Sequence, residues 1–325
     1  MNLALAGWMH SGTRQTSFLV RSADHELIRT QAFQCRLPGD KHTRVYTCKA
    51  FASLDGIEKP DLVVFGVKSY ALDGVVQQVL DAFGSDIPVM SVLNGMYHVE
   101  LLTKKFKTAI FCTIGFNAYR TSPIISIAAG GTIALSSAKN DGAIVQYLYK
   151  TLKKKISVTL TDSPMDVAHC KLVINLGNAL LTLVAFHDNR RRQLPELQKL
   201  TANLLWEGVR VMKKNGVKEV RISGMPPWIL LWLSKVLPSF ITLPIFEKKM
   251  RSTVINSMAQ DLKNGVATTE LEDINGYFLQ LAEKVGIDIP VNKAVYGIFK
   301  QWQKDGDQPF SPKELSEKIN TFSSL

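Results

Sequence analysis

Residues 61–94 read DLVVFGVKSYALDGVVQQVLDAFGSDIPVMSVLN, and their pattern predicts the fold class. Residues 61–67 are a continuous apolar run of strand length, which is typical of a strand buried on both faces. Apolar residues recur at helical spacing from Leu72 to Phe83, and residues 87–93 form a second apolar run. A strand, a helix and a strand in this order predict parallel pairing through a right-handed crossover.

The alternation of strands and helices continues on the C-terminal side of this stretch. Residues 108–114 and 156–160 predict further strands, and residues 124–128 and 132–136, joined through two glycines, predict a hairpin. Beyond Asp162 almost every segment has helical spacing, with main helices over residues 167–186, 197–215, 246–264 and 270–285. We therefore expect a doubly wound α/β domain over residues 1–162 and an all-α domain over residues 163–325.

The first residues depart from the pattern of a dinucleotide-binding half, which begins with a strand, a glycine-rich turn, a helix and a second strand. Residues 1–12 read as a helix, and residues 15–21 read as the strand that follows it. The first strand and the glycine-rich turn are therefore expected to be missing from this sequence. Because that turn holds a pyrophosphate at the N-terminus of its helix, we expect this form to bind a dinucleotide weakly.

The charge balance of the chain favours anionic partners. Its formal net charge is +11, and such a balance suits phosphates, acidic metabolites or nucleic acid. The basic residues are scattered, apart from short clusters at 153–155 and 190–192 that have no interleaved aromatic residues. No nucleic-acid-binding motif is present, so we expect no nucleic-acid partner.

The most apolar segment, residues 226–246, contains four prolines and one lysine. The prolines divide it into pieces that are shorter than the roughly 20 apolar residues of a spanning helix, so no membrane span is expected. A role at a membrane surface stays an alternative because basic residues follow at 248, 249 and 251. The four cysteines lack C-x-x-C spacing and no secretory signal pattern opens the chain, which predicts a cytoplasmic protein.

Three polar residues, Arg21, Lys68 and Asn94, stand at the carboxyl ends of predicted strands, where open parallel sheets bind their ligands. An arginine in the position of Arg21 suits a ribose 2′-phosphate, because its planar fork matches phosphate oxygens. Each of the three also fits a plainer interpretation. Arg21 and Lys68 fit solvated strand ends, and Asn94 with the glycine after it fits a turn.

Residues 168–182 predict a helix that is apolar around nearly its whole circumference and hence buried. Lys171, Asn175, Asn178 and Thr182 nevertheless recur at i, i+4, i+7 and i+11, which places one polar stripe along one face. Buried amides and a buried ammonium are costly unless each finds a partner. Two interpretations stay open, namely a polar network between helices and a cleft wall that presents these groups to an anionic ligand.

A second group of polar residues lies in SMAQD at 257–261 and TELEDING at 269–276. Thr269 and Glu272 have the spacing of a capping box, so Glu272 is expected to serve the start of a helix. Glu270 lies in the first turn of that helix and outside its apolar stripe. It either complements the helix dipole or directs its carboxylate into a cleft.

Taken in chain order, these segments resemble the ketopantoate reductase (2-dehydropantoate 2-reductase) family from about residue 15 to about residue 300. The motifs that carry the resemblance are FLVR at 18–21, VK at 67–68, NGM at 94–96, KLVIN at 171–175, SMAQD at 257–261 and TELEDING at 269–276. The family resemblance implies a Rossmann-type NADP-binding domain, here N-terminally incomplete, and a helical substrate domain, with a cleft between them.

The resemblance also implies a reaction and two catalytic residues. The reaction is the NADPH-dependent reduction of a small anionic 2-keto acid, above all 2-dehydropantoate to pantoate in pantothenate and coenzyme A biosynthesis. Lys171 resembles the residue that protonates the alkoxide formed when hydride reaches the keto carbon. Glu270 resembles the carboxylate that orients hydroxyl groups of the substrate or the cofactor.

The remaining site residues follow from the same resemblance. Asn175 and Ser257 resemble substrate ligands, and Asn178 is a further candidate although it follows Lys171 by seven residues where the family often has eight. Cofactor contacts are implied for Lys68, Asn94 and Arg21, with Arg21 on the 2′-phosphate.

Three other functions remain open from sequence alone. One is a non-catalytic or truncated family member that binds a nucleotide or metabolite, and another is a related hydroxy-acid dehydrogenase with a different substrate. The third is a basic protein that binds nucleic acid or a membrane surface. The resemblance leaves a homodimer open.

Overall fold

The computed structural model describes residues 9, 16–20, 33–36, 44–46, 49–115, 117–121, 124–128, 132–137, 142–185, 187, 193–221, 225–252, 256–263, 265, 269–306 and 308–323. Two compact units make up the chain, one of residues 1–167 and 222–224, the other of residues 168–221 and 225–325. The first unit is α/β and the second is helical. The predicted fold class is thereby confirmed, whereas the expected missing strand and glycine-rich turn fall outside the described residues.

Within the described part of the chain, the first unit contains the strands and three helices whose bounds the structure gives. The strands are β1 Ser17–Leu19, β2 Phe33–Arg36, β3 Arg44–Tyr46, β4 Lys49–Phe51, β5 Val63–Phe65, β6 Val89–Ser91, β7 Ala109–Ile114, β8 Asn117–Thr121, β9 Ile124–Ala128, β10 Thr132–Ser137 and β11 Ser157–Thr161. The helices are α1 Leu72–Phe83, α2 Tyr97–Lys105 and α3 Gly142–Leu152.

The described strands form three sheets. The largest has the order β11-β10-β7-β6-β5, in which β10 is antiparallel to β7 and the other neighbours are parallel. Strands β1 and β4 form a separate parallel pair, and β3-β2-β9-β8 form a four-stranded sheet. Apolar side chains of β6, β7 and β10 pack with α3 in the core of this unit.

The predicted hairpin of residues 124–128 and 132–136 is wrong. Strand β9 pairs with β8 and β2, whereas β10 lies between β7 and β11. The physical reason is the burial of β10, since five of its six residues are buried. A strand covered on both faces belongs in the interior of a sheet with a neighbour on each side.

The second unit is built from helices that pack around one long central helix. They are α4 Pro164–Asn175, which begins just before the unit, α5 Gly177–Leu183, α6 Leu194–Lys214, α7 Trp228–Val236, α8 Ser239–Ser252, α9 Ser257–Lys263, α10 Tyr277–Val285, α11 Pro290–Asp305 and α12 Pro312–Ser323. The central helix α6 contacts α5, α7, α8, α10, α11 and α12. Among the described residues, no helix combines the length and the apolar character that crossing a bilayer requires.

Three predicted helices are interrupted in the structure, although the helical spacing of their apolar residues continues through the interruptions. The helix over 167–186 is divided into α4 and α5 at Leu176, and the helix over 246–264 is divided into α8 and α9. In place of one helix over 270–285, a π-helical turn at Glu272–Gly276 precedes α10. Such π-helical turns occur frequently at functional sites.

A buried carboxylate fixes the start of α11. Glu207 of α6 is buried, and its two oxygens accept hydrogen bonds from the backbone N–H groups of Val291 and Asn292, each at 3.0 Å. Its Oε2 also accepts one from the side-chain amide of Asn292 at 2.7 Å. These bonds satisfy N–H groups that a helix start leaves without intrahelical partners.

Candidate functional site

In the first unit, Lys68 and Asn94 lie at one edge of the largest sheet. Each follows its strand, β5 or β6, by three residues. The last residues of the two strands, Phe65 and Ser91, are partners in the parallel register, so both polar residues leave the sheet at its carboxyl edge. Both side chains are half-buried. The structure therefore brings these two predicted cofactor residues to the edge where parallel sheets bind ligands.

The turn that carries Asn94 is fixed at both ends. Gly95 has a φ of 83°, a conformation that glycine adopts without steric cost. Before the turn stands Ser91 and after it His98, both buried, with Ser91 Oγ 2.7 Å from His98 Nδ1. The His98 ring lies 5.8 Å from the ring of Phe111 on β7. Asn94 is thus held on a braced turn, and sequence reasoning missed the two bracing residues.

Arg21, the third predicted cofactor residue, lies outside the described residues. It comes two residues after the end of β1, whose pairing with β4 the structure does describe. Its proposed contact with a 2′-phosphate stays a prediction.

In the second unit, the polar stripe lies on α4 and α5. Lys171, Asn175 and Asn178 are half-buried, whereas the apolar residues between them are mostly buried and belong to the core. Within the described part of the chain, the side-chain amides of Asn175 and Asn178 form no hydrogen bond. Half-buried amides that have no hydrogen bond to the described residues fit a wall that faces a ligand better than they fit a closed polar network.

Asn256, which precedes α9, ties that helix to the stripe. Its Oδ1 accepts a hydrogen bond from Ala259 N at 2.9 Å, the usual bond of an N-cap, and its Nδ2 donates to the carbonyl of Asn178 at 3.2 Å. The buried hydroxyl of Thr182 lies 2.7 Å from the Asn178 carbonyl and 3.1 Å from Asn256 Oδ1. These contacts hold the start of α9, and with it the exposed Ser257, beside Asn178.

Two further contacts tie the π-helical turn to the stripe. Asn275 is fully buried, and its Nδ2 donates to the carbonyl of Leu176 at 3.4 Å, at the point where α4 gives way to α5. Next to this turn, Tyr277 Oη lies 3.1 Å from Nε2 of His169 on α4. The segment that carries Glu270 is thereby docked on the helix pair that carries Lys171.

The structure gives Glu272 a role that differs from the predicted capping box. No side chain caps the π-helical turn. The Glu272 carboxylate instead accepts hydrogen bonds from Tyr296 Oη at 2.8 and 2.9 Å and pairs with Lys300 Nζ at 3.2 Å. The prediction was wrong because a carboxylate that can reach a neighbouring helix has partners that local spacing does not reveal. Glu270 is half-buried, and its carbonyl accepts from Ile274 N.

The second unit therefore presents one ammonium, two amides, a hydroxyl and a carboxylate on segments that direct contacts hold together. Donors of this kind suit a small anion with a polarised oxygen. In the described residues, no group of histidine, cysteine and carboxylate side chains could hold a metal ion. The arrangement is equipped to bind an oxyanion and to supply a proton.

Comparison with protein families gives two matches that cover most of the chain. The model for "Ketopantoate reductase PanE/ApbA" matches residues 1–140, and the model for "Ketopantoate reductase PanE/ApbA C terminal" matches residues 165–303. Among curated proteins, the 2-dehydropantoate 2-reductase of Halobacterium salinarum is 24% identical over 309 residues, which cover 93% of this chain and 95% of that protein. The enzyme of the same name from Pyrococcus horikoshii is 22% identical over 256 residues, which cover 78% of each chain.

Solved structures share the fold. A PanE/ApbA family ketopantoate reductase from Ralstonia eutropha is similar with a TM-score of 0.72 and 16% identity, over 93% of this chain and 94% of that one. A D-mandelate dehydrogenase in a ternary structure with NADH and anilino(oxo)acetate is similar with a TM-score of 0.74 and 16% identity, over 93% and 94%. A ketopantoate reductase from Staphylococcus aureus, described as dimeric, has a TM-score of 0.61 and 16% identity, over 85% and 88%.

Proposed function

The chain belongs to the ketopantoate reductase family, and from that premise we propose that it reduces a small 2-keto acid to the 2-hydroxy acid with NADPH, in the cytoplasm. The proposed substrate is 2-dehydropantoate, and the product is then pantoate, a precursor of pantothenate. The observation that supports the proposal is the polar stripe of α4 and α5, whose Lys171, Asn175 and Asn178 are half-buried on a helix pair that is otherwise mostly buried.

Reduction of a ketone needs a group that stabilises negative charge on oxygen and then donates a proton, and the ammonium of the polar stripe can do both. NADPH, when bound, supplies the hydride that forms the new C–H bond, and the electron pair of the C=O bond moves onto oxygen. We propose that Lys171 stabilises the negative charge on that oxygen and then donates a proton from Nζ to give the hydroxyl group. Overall, one keto acid, one NADPH and one proton become one hydroxy acid and one NADP⁺.

The other helical residues are proposed to bind and orient the substrate. Carboxylate and hydroxyl oxygens of the substrate accept hydrogen bonds from the amides of Asn175 and Asn178 and from the hydroxyl of Ser257. Ser257 can take part because Asn256, directly before it, is bonded to the carbonyl of Asn178. Glu270 is proposed to orient hydroxyl groups of the substrate or the cofactor. Each is a positioning interaction, which matters because a bound geometry close to the reactive one lowers the barrier.

The first unit is proposed to hold the cofactor. Lys68 and Asn94 lie at the carboxyl edge of the sheet, and a lysine together with an amide and a turn at the start of α2 suits a phosphate-rich ligand. We propose that Arg21 contacts the 2′-phosphate and so favours NADPH over NADH. In this proposal, Arg21→Asp weakens NADPH far more than it weakens NADH.

A direct assay tests the proposal with the full chain. The loss of NADPH absorbance is followed with 2-dehydropantoate and, in parallel, with the 2-keto acid that corresponds to mandelate, because the fold is shared with D-mandelate dehydrogenase. We expect oxidation of NADPH with stoichiometric formation of pantoate. Faster turnover of the mandelate precursor would assign a related hydroxy-acid dehydrogenase, and NADPH binding without turnover of either acid would assign a non-catalytic member of the family.

A further inference from the structure

The starts of α1 and α2 are joined by a hydrogen bond that has no part in the proposed reaction. Tyr97, the first residue of α2, donates from Oη to Oδ1 of Asp73 in the first turn of α1 at 2.5 Å. Asp73 comes five residues after Lys68, and Tyr97 comes three residues after Asn94. The bond therefore links the two segments that carry the proposed cofactor residues Lys68 and Asn94.

Both helix starts are anchored to the interior of the first unit on their other side. Leu72 at the start of α1 and Met96 directly before α2 are buried. The backbone N–H of Ala71 donates to the carbonyl of Lys68 at 3.0 Å, which closes the turn between Lys68 and α1. Only two residues separate Asn94 from α2. Because these connections are short, a bond between the two helix starts also restrains Lys68 and Asn94.

The hydrogen bond lies on the solvent side of these two helix starts. Asp73 is exposed, and Tyr97 is 43% exposed. The strands that precede them, β5 and β6, are parallel neighbours that end in register at Phe65 and Ser91, so both helix starts follow the carboxyl edge of the sheet. Ligands of open parallel sheets bind outside this edge. The pair of Asp73 and Tyr97 spans the edge from the β5 side to the β6 side.

The two groups are a matched donor and acceptor at neutral pH. A hydroxyl that donates to a carboxylate forms one of the stronger hydrogen bonds in proteins. The bond to Asp73 raises the pKa of Tyr97 above its ordinary value, so the hydroxyl keeps the proton that it donates. Asp73 could serve the dipole of α1 on its own, but that role needs no partner on another helix. A bond to a residue 24 positions away therefore indicates a role beyond α1.

We infer that Asp73 and Tyr97 form a positioning pair for the cofactor, which holds the segments of Lys68 and Asn94 at the separation that a bound NADPH requires. The inference rests on the proposed binding of NADPH at this edge of the sheet. A site whose segments are held in place before binding loses less conformational freedom when the ligand arrives. Loss of the bond should therefore weaken cofactor binding and leave the turnover number and the fold unchanged.

Titration of the full chain with NADPH, followed by the fluorescence of NADPH, tests the inference without any keto acid. Tyr97→Phe removes only the hydroxyl group, and we expect it to raise the Kd by about fivefold, the equivalent of one hydrogen bond. Asp73→Ala and Asp73→Asn carry the same charge, but asparagine keeps an acceptor for the hydroxyl of Tyr97. Asp73→Asn should therefore bind NADPH more tightly than Asp73→Ala does.

Asp81→Ala is the matched control for the loss of an exposed hydrogen bond on the same helix. Asp81 is also exposed on α1, and it accepts a side-chain hydrogen bond from Gln77 at 2.8 Å. It lies eight residues after Asp73, which is about 12 Å further from the edge along the helix, so its replacement should leave the Kd unchanged. All four variants should keep the melting temperature of the unmodified chain. In Tyr97→Phe without cofactor, hydrogen exchange should be faster at the backbone amides of residues 68–73 and 94–99 alone.

Two results would overturn this inference alone. One is an unchanged Kd for Tyr97→Phe. The other is weaker binding together with a lower melting temperature and faster hydrogen exchange throughout the first unit, which would make the pair a general stabiliser of the fold. A chain that binds neither NADPH nor NADH would overturn the inference together with the proposed cofactor. A chain that binds NADPH but reduces no keto acid would contradict only the proposed reaction, and the titration would still decide the role of the pair.

Discussion

Replacement of Asn256 by alanine removes a side chain that both caps α9 and bridges it to α5. Three contacts are lost together, namely those with the backbone N–H of Ala259, with the carbonyl of Asn178 and with the hydroxyl of Thr182. Loss of an N-cap costs about 1 kcal/mol, and loss of the donor to a part-buried carbonyl costs a further ~1 kcal/mol. Thr182 keeps its bond to the Asn178 carbonyl and adds little to the cost. Asn256→Ala should therefore lower the unfolding free energy by about 2 kcal/mol.

Asn256→Asp is the matched control because it separates the role of Asn256 as the N-cap of α9 from its role as the bridge to Asn178. Aspartate caps a helix as well as asparagine does, but it lacks the Nδ2 donor and sets a carboxylate oxygen against the Asn178 carbonyl. It should cost about 1 kcal/mol, the bridging part alone. Urea unfolding followed by tryptophan fluorescence suits the measurement, since four of the five tryptophans lie in the helical unit. Equal losses for the two variants, or a loss below about 0.5 kcal/mol for alanine, would show that Asn256 does not act as both cap and bridge.

The remaining predictions concern carboxylates. Glu207→Gln should destabilise the chain by about 1–3 kcal/mol, because an amide nitrogen would replace an acceptor of the α11 N–H groups. Burial raises the pKa of Glu207 above its ordinary value, so its proton-linked stability is present below that ordinary pKa and is lost as the pH rises through the raised one. The destabilisation by Glu207→Gln, measured in urea titrations, should accordingly shrink as the pH rises above the ordinary pKa of a glutamate. Glu272→Gln should change the melting temperature and turnover little, because an exposed pair with Lys300 contributes at most about 1 kcal/mol. Glu270→Gln should lower turnover at an almost unchanged melting temperature, and the reverse pattern for the two residues would show that their roles are exchanged.

The periodicity of apolar residues predicted more of the fold of this protein than of its candidate site. The apolar runs at residues 61–67 and 87–93 contain β5 and β6, and the helical spacing from Leu72 to Phe83 matches α1. The stripe of Lys171, Asn175 and Asn178 could also be predicted, because a helix of regular pitch brings residues at i, i+4 and i+7 to one face.

Periodicity could not predict the contacts that join distant parts of the chain. Asn275 reaches the carbonyl of Leu176 across 99 residues, and Asn256 reaches Asn178 across 78. The interruption of the helix at Leu176 accompanies the first of these contacts, and the apolar pattern continues through it without a proline. An asparagine one residue before an apolar helix was the available signal for Asn256, because that is the preferred N-cap position.

The pairing of β10 was missed for a similar reason. Two glycines between two apolar runs are a hairpin signal, but they do not determine which strand lies beside which in a sheet. The neighbours of β10 are set by burial on both faces of the sheet. That property depends on α3 and on strands that are distant in sequence.

The proposed role of Lys171 is to donate the proton in reduction of a 2-keto acid, and the turnover number of Lys171→Ala with NADPH and 2-dehydropantoate tests it. Lys199→Ala is the matched control, since Lys199 is an exposed lysine of α6 in the same unit. Alanine suits a helix at both positions, so both variants should keep the melting temperature of the unmodified chain. We predict a fall of about 10²-fold or more for Lys171→Ala and no change for Lys199→Ala. Equal turnover by the two variants in a chain that reduces the keto acid would show that Lys171 is not the proton donor.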